Sequence, residues 1–162
     1  MKIIYFLTIF LNLLYFSKQV NILINQDDHS YDPERGKKIL DKMKTQKGMK
    51  YVFFAGNIHG PTRGGYDCSS IIIYSVYQAI GIKLPRSPVE ISRTDLCRNV
   101  PFSKRKPGDI IVYSEFNPPT TINHLALVSD DVNKMWQIIG PGSSVDEYEI
   151  NTVKPFPNVK RC

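Results

Sequence analysis

The sequence predicts an α+β domain in which helices pack on an antiparallel sheet. The helix signals lie before residue 97, and they include a nearly continuous apolar run at residues 71–80. After the turn at Pro107-Gly108, short apolar runs alternate with turn residues, as is typical of consecutive strands. Helices followed by consecutive strands favour the α+β class, and 162 residues suffice for one hydrophobic core but not for two.

The chain begins with an apolar block. Lys2 precedes residues 3–16, which contain only two polar side chains. One cation before a short apolar block is typical of a secretory signal peptide, and the block is short for a membrane span. We therefore assign residues 1–20 to a signal peptide, cleaved between residues 17 and 25; an uncleaved anchor is the alternative. A secreted, extracellular protein follows from the first assignment.

The remaining chain divides into an arm, residues 21–31, and a single domain, residues 32–162. The formal net charge is +6, and removal of residues 1–17 takes away only the charge of Lys2, which leaves +5. A basic secreted domain suits anionic surroundings such as a bacterial envelope, although the charge could serve solubility alone. The basic residues do not interleave with aromatic ones as a base-stacking surface requires, so we expect no nucleic-acid partner.

The first helix is predicted from Asp32 as its cap to Gln46, with proline at its first position and Gly48 after its end. Its inner stripe is formed by three apolar residues, Ile39, Leu40 and Met43. A short extended run follows at residues 51–54, and a glycine-rich loop then leads to the central segment.

The central helix is predicted to begin after Asp67, whose carboxylate can cap the unpaired amides of the first turn. Cys68 then lies in that first turn, where the positive end of the helix dipole favours a thiolate. The apolar run to Ile80 indicates a buried helix, closed by Gly81. A cysteine at the start of a buried helix is a plausible nucleophile.

The second half of the chain is predicted to hold one short helix and four strands. Ser87 caps the helix at residues 89–96, with Pro88 first. A tail that contains two prolines and has no apolar period ends the chain. The predicted strands are residues 109–114, 124–129, 135–139 and 146–150.

Three histidines could serve as the base for a cysteine nucleophile. His29 lies in the polar arm and suits a solvated surface position, whereas His59 lies in a glycine-flanked loop close in sequence to Cys68. His124 opens an apolar strand, and a strand end can hold an imidazole ring rigidly against a helix terminus. His124 is therefore the candidate base, although a cysteine and a histidine occur in most chains of this length.

A third polar residue should orient the imidazole ring by accepting its other N–H. A four-residue loop at 130–133 pairs Ser129 with Lys134, which brings Gln137 to the same face as His124 and diagonal to it. A slip of one residue would move Gln137 to the opposite face. The alternative for this glutamine is a position on a strand edge that faces water.

The chain has three cysteines, so at least one is unpaired if disulfides form. If Cys68 keeps its thiol, Cys97 and Cys162 remain as a pair, which an exported protein can oxidise. Such a bridge would close a loop of about 66 residues and stabilise the fold by at most roughly 4 kcal/mol. Two unpaired thiols are the alternative.

Five segments in a fixed order resemble the NlpC-type cell-wall cysteine peptidases. The resemblance extends from about Asp32 to Ile150, and it departs from the usual pattern at Ser70 and Ala55, where glycines are common. It implies a stripped-down papain-like α+β fold with the cysteine at a helix N-terminus. The segments are 51–56, 65–70, 81–87, 106–113 and 123–128.

The resemblance implies roles for six residues. Cys68 matches the nucleophile and His124 the base, and Gln137 matches a third position that varies among His, Asn and Gln. Three residues match positions that line the site or hold substrate: Tyr51, Asp67 and Ser69. The reaction implied is hydrolysis of amide bonds in peptidoglycan stem peptides, without a metal or cofactor.

The same resemblance implies a secreted bacteriolytic enzyme that acts in defence or competition, with peptidoglycan in an anionic cell envelope as its partner. We expect it to act as a monomer. One alternative is a catalytically inactive module of the same fold that binds muropeptides or a protein. Another is a protease or acyltransferase with a substrate outside the cell wall.

Overall fold

The computed structural model describes residues 12, 14, 15, 31–114, 121–150 and 155–162. The predicted signal peptide and arm fall almost wholly outside these residues and stay predictions. The chain forms two compact units, Met1–Asp32 and Pro33–Cys162, and the second unit holds all the elements described below. No helix in the described part of the chain has the length and apolar character needed to cross a membrane.

The described residues of the second unit include three helices, a 3₁₀ turn at Phe102–Lys104 and eight strands. The helices are α1 (Pro33–Lys44), α2 (Cys68–Ile80) and α3 (Pro88–Arg93). The strands are β1 (Lys50–Tyr51), β2 (Gly65–Tyr66), β3 (Arg98–Pro101), β4 (Ile110–Tyr113), β5 (His124–Val128), β6 (Lys134–Gln137), β7 (Asp146–Glu149) and β8 (Pro155–Arg161).

Six strands form one antiparallel sheet in the order β3-β8-β4-β5-β6-β7, and β1 and β2 pair in parallel beside it. Side chains alternate between two cores, as the period of a strand requires. Along β4, Ile110 and Val112 join the core shared with the helices, whereas Ile111 and Tyr113 face the other side. The predicted α+β fold, with helices packed on an antiparallel sheet, is confirmed.

Helix α2 is central because its residues are apolar on nearly all sides, and it packs against α1 and β5. Gly81 ends it in the left-handed conformation with φ of 75°, which glycine adopts without steric cost. Helix α1 buries the predicted stripe of Ile39, Leu40 and Met43. A Cβ atom at Gly108 would lie 2.2 Å from the carbonyl oxygen of Gly36 in α1. The glycine therefore allows the backbone of α1 to lie close to the turn that precedes β4.

The C-terminal tail, to which the sequence analysis assigned no strand, forms one in the structure. Residues 155–161 form β8, which lies between β3 and β4 inside the sheet. Val159 is fully buried, and Lys160 is buried while its ammonium group donates to the carbonyl oxygen of Thr94 at 2.6 Å. Backbone pairing to two neighbours holds this segment without the apolar period that a helix or a one-sided strand would need.

Two other elements end three residues earlier than predicted. Helix α3 ends at Arg93 instead of residue 96, because Thr94 adopts an extended conformation and β3 begins soon after it. The extended run predicted at residues 51–54 stops at Tyr51, since Phe53 and Phe54 lie in an exposed turn. Positive φ occurs at Phe54 and at Gly56, with values of 56° and 81°.

Candidate active site

The N-terminus of α2 places Cys68 at the first helical position. Asp67 is the N-cap, with extended backbone, and its Oδ1 accepts a hydrogen bond from the Ser70 amide at 2.8 Å. The Ser70 hydroxyl in turn accepts from the Asp67 amide at 2.9 Å, which completes a capping box. Cys68 is half-buried, and it lies where the dipole of the helix stabilises a negative charge.

Arg86 bridges the two residues that flank the cysteine. Its guanidinium donates to the second carboxylate oxygen of Asp67 and to the hydroxyl of Ser69. The Ser69 hydroxyl also donates to Asp67 at 3.1 Å. The capping carboxylate is therefore neutralised by a cation whose side chain is 41% exposed. Sequence analysis assigned Arg86 no role, although this single arginine in a proline-bounded segment was part of the family resemblance.

His124 lies on the opposite side of the site, at the start of β5. It pairs with Tyr113 of β4, and the centroids of the two rings are 4.8 Å apart. On the other side, β6 follows the predicted register, because Val128 pairs with Met135 and the Ser129 amide donates to Lys134 at 3.0 Å. This register brings Gln137 into hydrogen-bond contact with the imidazole ring.

Gln137 links His124 to Tyr113. Its Oε1 accepts a hydrogen bond from the Tyr113 hydroxyl. All three side chains are at most 2% exposed, so the amide group is held by buried partners instead of by water. Sequence analysis did not identify Tyr113 as part of this network, because the apolar pattern of β4 indicated a core residue.

Burial lowers the pKa of His124 to about 4, from an ordinary value of 6.5. The hydrogen bond to Gln137 opposes this shift, because an accepting oxygen favours the protonated ring. The imidazole is therefore neutral at physiological pH and can accept a proton. A neutral base beside a thiol is the starting state for general-base activation of a nucleophile.

The Cys68 side and the His124 side of the site line one cavity of about 340 Å³. It is lined by residues from the α2 N-terminus, from the loop before α3 and from the ends of β5 and β6. Tyr51, whose side chain is half-buried, lines the same cavity. The lining residues are Tyr51, Phe53, Phe54, Asp67, Cys68, Ser69, Arg86, Ser87, Pro88, Asn123, His124 and Ile139.

His59 does not line this cavity. His59 is exposed and packs edge-on against Tyr77, with ring centroids 6.4 Å apart. His29 lies outside the described residues. Of the six predicted site residues, five line the cavity. The sixth, Gln137, does not line it but is hydrogen-bonded to His124, which does.

The disulfide prediction is confirmed, since Cys97 and Cys162 are bonded across 65 residues. Cys97 precedes β3 and Cys162 follows β8, so the bridge joins the ends of two paired strands. Cys68 takes no part in a disulfide and keeps its thiol.

A cysteine at a helix N-terminus, facing a buried histidine on an antiparallel sheet, defines the class of papain-like proteins with a Cys–His site. Within this class, the chain belongs to the NlpC/P60 family, whose sequence model matches residues 48–152. The matched segment contains helix α2, the loop with Arg86 and strands β3 to β7.

Similar proteins include both peptidoglycan endopeptidases and a non-catalytic relative. The peptidoglycan endopeptidase RipA of Mycobacterium tuberculosis is 32% identical over 91 residues, which is 51% of this chain and 19% of RipA. The chain thus spans about a fifth of the length of RipA. The solved P60 domain of an M. avium paratuberculosis antigen is 25% identical, with a TM-score of 0.67 over 79% of this chain and 93% of that one.

The non-catalytic relative is RipD of Mycobacterium tuberculosis, described as adapted to peptidoglycan binding. Its structure has a TM-score of 0.66 to this chain at 25% identity. The match covers 81% of this chain and 98% of RipD. Membership of the family is therefore compatible with both catalysis and binding.

Proposed function

We propose that the protein is a cysteine peptidase that hydrolyses amide bonds in the stem peptides of bacterial peptidoglycan. The observation that carries this proposal is that Cys68, at a helix N-terminus, and the neutral, buried His124 line the same cavity. An inactive descendant would have no need to keep the thiol, the base and an orienting amide together.

In the proposed reaction, the neutral imidazole of His124 takes the proton of the Cys68 thiol. The thiolate attacks the amide carbonyl, and the oxyanion is stabilised by N–H groups at the start of α2. The imidazolium then donates its proton to the leaving amine, and an acyl-enzyme remains. Water, deprotonated by His124, attacks the thioester and releases the acid, which restores the thiol.

Gln137 stabilises the imidazolium that forms during both steps. A buried cation is costly unless an acceptor faces it, and Oε1 of Gln137 provides that acceptor while the Tyr113 hydroxyl fixes its orientation. We assign Gln137 as the orienting residue, and Tyr51, Asp67 and Ser69 as residues that contact the substrate.

Peptidoglycan is the proposed substrate because RipA, and MepS of Escherichia coli, are endopeptidases of this polymer. A secreted protein with a basic net charge would approach an anionic envelope from outside. We therefore propose a bacteriolytic role against foreign cells, in defence or competition, instead of maintenance of a producer's own wall.

Digestion of purified peptidoglycan tests the proposal. The wild-type protein should release new amino groups and shorter stem peptides, identified by mass spectrometry, from Gram-negative or Gram-positive sacculi. The Cys68→Ala variant should release none, while its circular dichroism and thermal unfolding stay unchanged, because alanine suits a helix. Cleavage that survives in Cys68→Ala would refute the mechanism.

A binding module for muropeptides or a protein is the second candidate function, favoured by the similarity to non-catalytic RipD. Alkylation by iodoacetamide separates the two candidates, because a thiol activated by a base reacts faster than an ordinary thiol. Fast labelling of Cys68 that His124→Ala slows would support the peptidase. Labelling at the rate of an unfolded peptide, with binding of sacculi but no cleavage, would support the binding module.

A further inference from the structure

Two neighbouring phenylalanines stand out from the apolar residues of the domain. Phe53 and Phe54 are 67% and 69% exposed, whereas most large apolar side chains of the described residues are buried. Their rings pack edge to face with centroids 4.8 Å apart, which forms a right-angled apolar notch on the surface. A contiguous pair of exposed aromatic rings is a typical feature of a contact surface.

The turn that carries these rings is held in an unusual conformation. Phe54 has φ of 56°, in the left-handed region that a bulky side chain rarely adopts. The guanidinium of Arg63 donates to the carbonyl oxygen of Phe53, and that of Arg86 lies 5.5 Å from the Phe54 ring. These contacts stabilise a turn conformation that the backbone alone disfavours, and such outliers are typical of functional sites.

The notch is continuous with the candidate active site. Phe53 and Phe54 line the same cavity as Cys68, beside Asp67 and Arg86. The cavity volume of about 340 Å³ is at the small end of ligand sites, so it suits a short stretch of peptide. The exposed rings of Phe53 and Phe54 extend the surface of the cavity beyond the part that such a peptide would occupy.

We propose that Phe53 and Phe54 form a subsite for the sugar to which a stem peptide is attached. This inference rests on the proposed function, since it names a second part of the same substrate. The C–H faces of a pyranose ring pack well on phenyl rings, and its hydroxyls can accept hydrogen bonds from the guanidiniums of Arg63 and Arg86. The notch thus offers the apolar faces and the nearby polar donors that bind a carbohydrate.

The test compares two substrates, a stem peptide that carries its disaccharide and the same peptide without sugar. In the double variant Phe53→Ser/Phe54→Gly, the ratio of kcat/KM for the sugar-linked peptide to that for the sugar-free peptide should fall about tenfold. Glycine tolerates the left-handed φ at position 54, so the variant should fold. Leu96→Ser is the matched control, because Leu96 is 53% exposed and does not line the cavity; it should leave the ratio unchanged.

A direct binding measurement separates this proposal from the proposed function. In the Cys68→Ala protein, the disaccharide alone should shift the NMR signals of the Phe53 and Phe54 rings, whether or not the wild type cleaves peptide. Shifts without any cleavage by the wild type would refute the peptidase and support the subsite. An unchanged substrate ratio in the double variant, or ring signals that do not move at millimolar disaccharide, would refute the subsite.

Discussion

The two sides of the cavity differ in charge and in exposure to water. On the helix side, Asp67 and Arg86 form an ion pair whose cation is 41% exposed, and Cys68 is half-buried. On the sheet side, His124 and Gln137 are at most 2% exposed and are uncharged at physiological pH. On the helix side, water can stabilise a side chain whose charge changes. On the sheet side, the buried side chains have no such contact with water.

Because of this difference, the two sides of the cavity suit different chemical roles. The helix side tolerates a permanent charge because solvent and Arg86 stabilise it, so it suits a nucleophile that becomes an anion. The sheet side penalises any charge through desolvation, so it keeps His124 as a neutral base. A carboxylate in place of Gln137 would favour the protonated ring, whereas an amide orients the ring and leaves it unprotonated.

The largest effect is expected from the sheet side. His124→Ala should lower kcat/KM on peptidoglycan fragments by at least about a thousandfold, because the thiol then has no base. His124→Ala/Gln137→Ala should be no less active than the His124→Ala protein, since members of one catalytic unit do not act additively. A double variant with a further large loss would mean that the two residues act independently.

The burial of His124 should also make the fold sensitive to acid. Its pKa is 6.5 when unfolded and about 4 when folded, so the unfolded state alone binds this proton between those values. Stability therefore falls as pH drops from 6.5 towards 4, by about 3 kcal/mol for this residue. Denaturant unfolding measured at pH 7 and at pH 4 should show this loss, and His124→Gln should abolish most of it. An equal loss in both proteins would assign the acid sensitivity to carboxylates instead.

Removal of the orienting amide should have a smaller effect with a defined sign. Gln137→Ala should lower kcat by about ten- to a hundredfold. Because the hydrogen bond that the imidazole donates to Gln137 raises the pKa of His124, its loss should move the acid limb of the kcat/KM profile to lower pH. Tyr113→Phe, which removes only the hydroxyl that holds Gln137, should shift the profile in the same direction and less far. An acid limb that moves to higher pH in either variant would contradict the inference that Gln137 raises the pKa of His124.

The smallest effect on activity is expected from the ion pair of Arg86 with Asp67, whose carboxylate is only 8% exposed. Arg86→Gln should lower the free energy of unfolding by about 2 kcal/mol, because the buried carboxylate loses its counter-ion and keeps only its hydrogen bonds from Ser69 and Ser70. It should also slow alkylation of Cys68, since an uncompensated carboxylate disfavours the thiolate. Lys37→Gln breaks the exposed pair with Asp41 on α1 and should change neither measurement. Equal alkylation rates in the wild type and Arg86→Gln would show that the ion pair does not affect the thiol.

Local rules predicted much of the candidate site from the sequence. The cap at Asp67, the position of Cys68 and the stop at Gly81 depend on a few adjacent residues, and the structure has all three. The register that joins His124 to Gln137 depends on one short loop between adjacent strands. Each of these features is decided within about fifteen residues of chain, where propensity and periodicity are informative.

Features that depend on distant partners were missed. Strand β8 has a proline-containing sequence, and its pairing with β3 and β4 is visible only in three dimensions. Arg86 acquires its role from Asp67, which is 19 residues away, and Tyr113 from Gln137, 24 residues away. Sequence patterns identify which face of an element is apolar, but they do not identify the partner that a polar side chain meets there.

The position of β8 has a consequence for the order of folding. Strands β4 to β7 are neighbours in sequence and can pair as successive hairpins, whereas β8 lies between β3 and β4. Its pairing joins Arg98 to Arg161 and Ile110 to Lys160, and such long-range contacts form slowly. Without β8, the edges of β3 and β4 that it covers would be unpaired, and such edges are prone to pair with other chains. Insertion of β8 therefore completes the sheet, and formation of the Cys97–Cys162 bond retains the strand in its place.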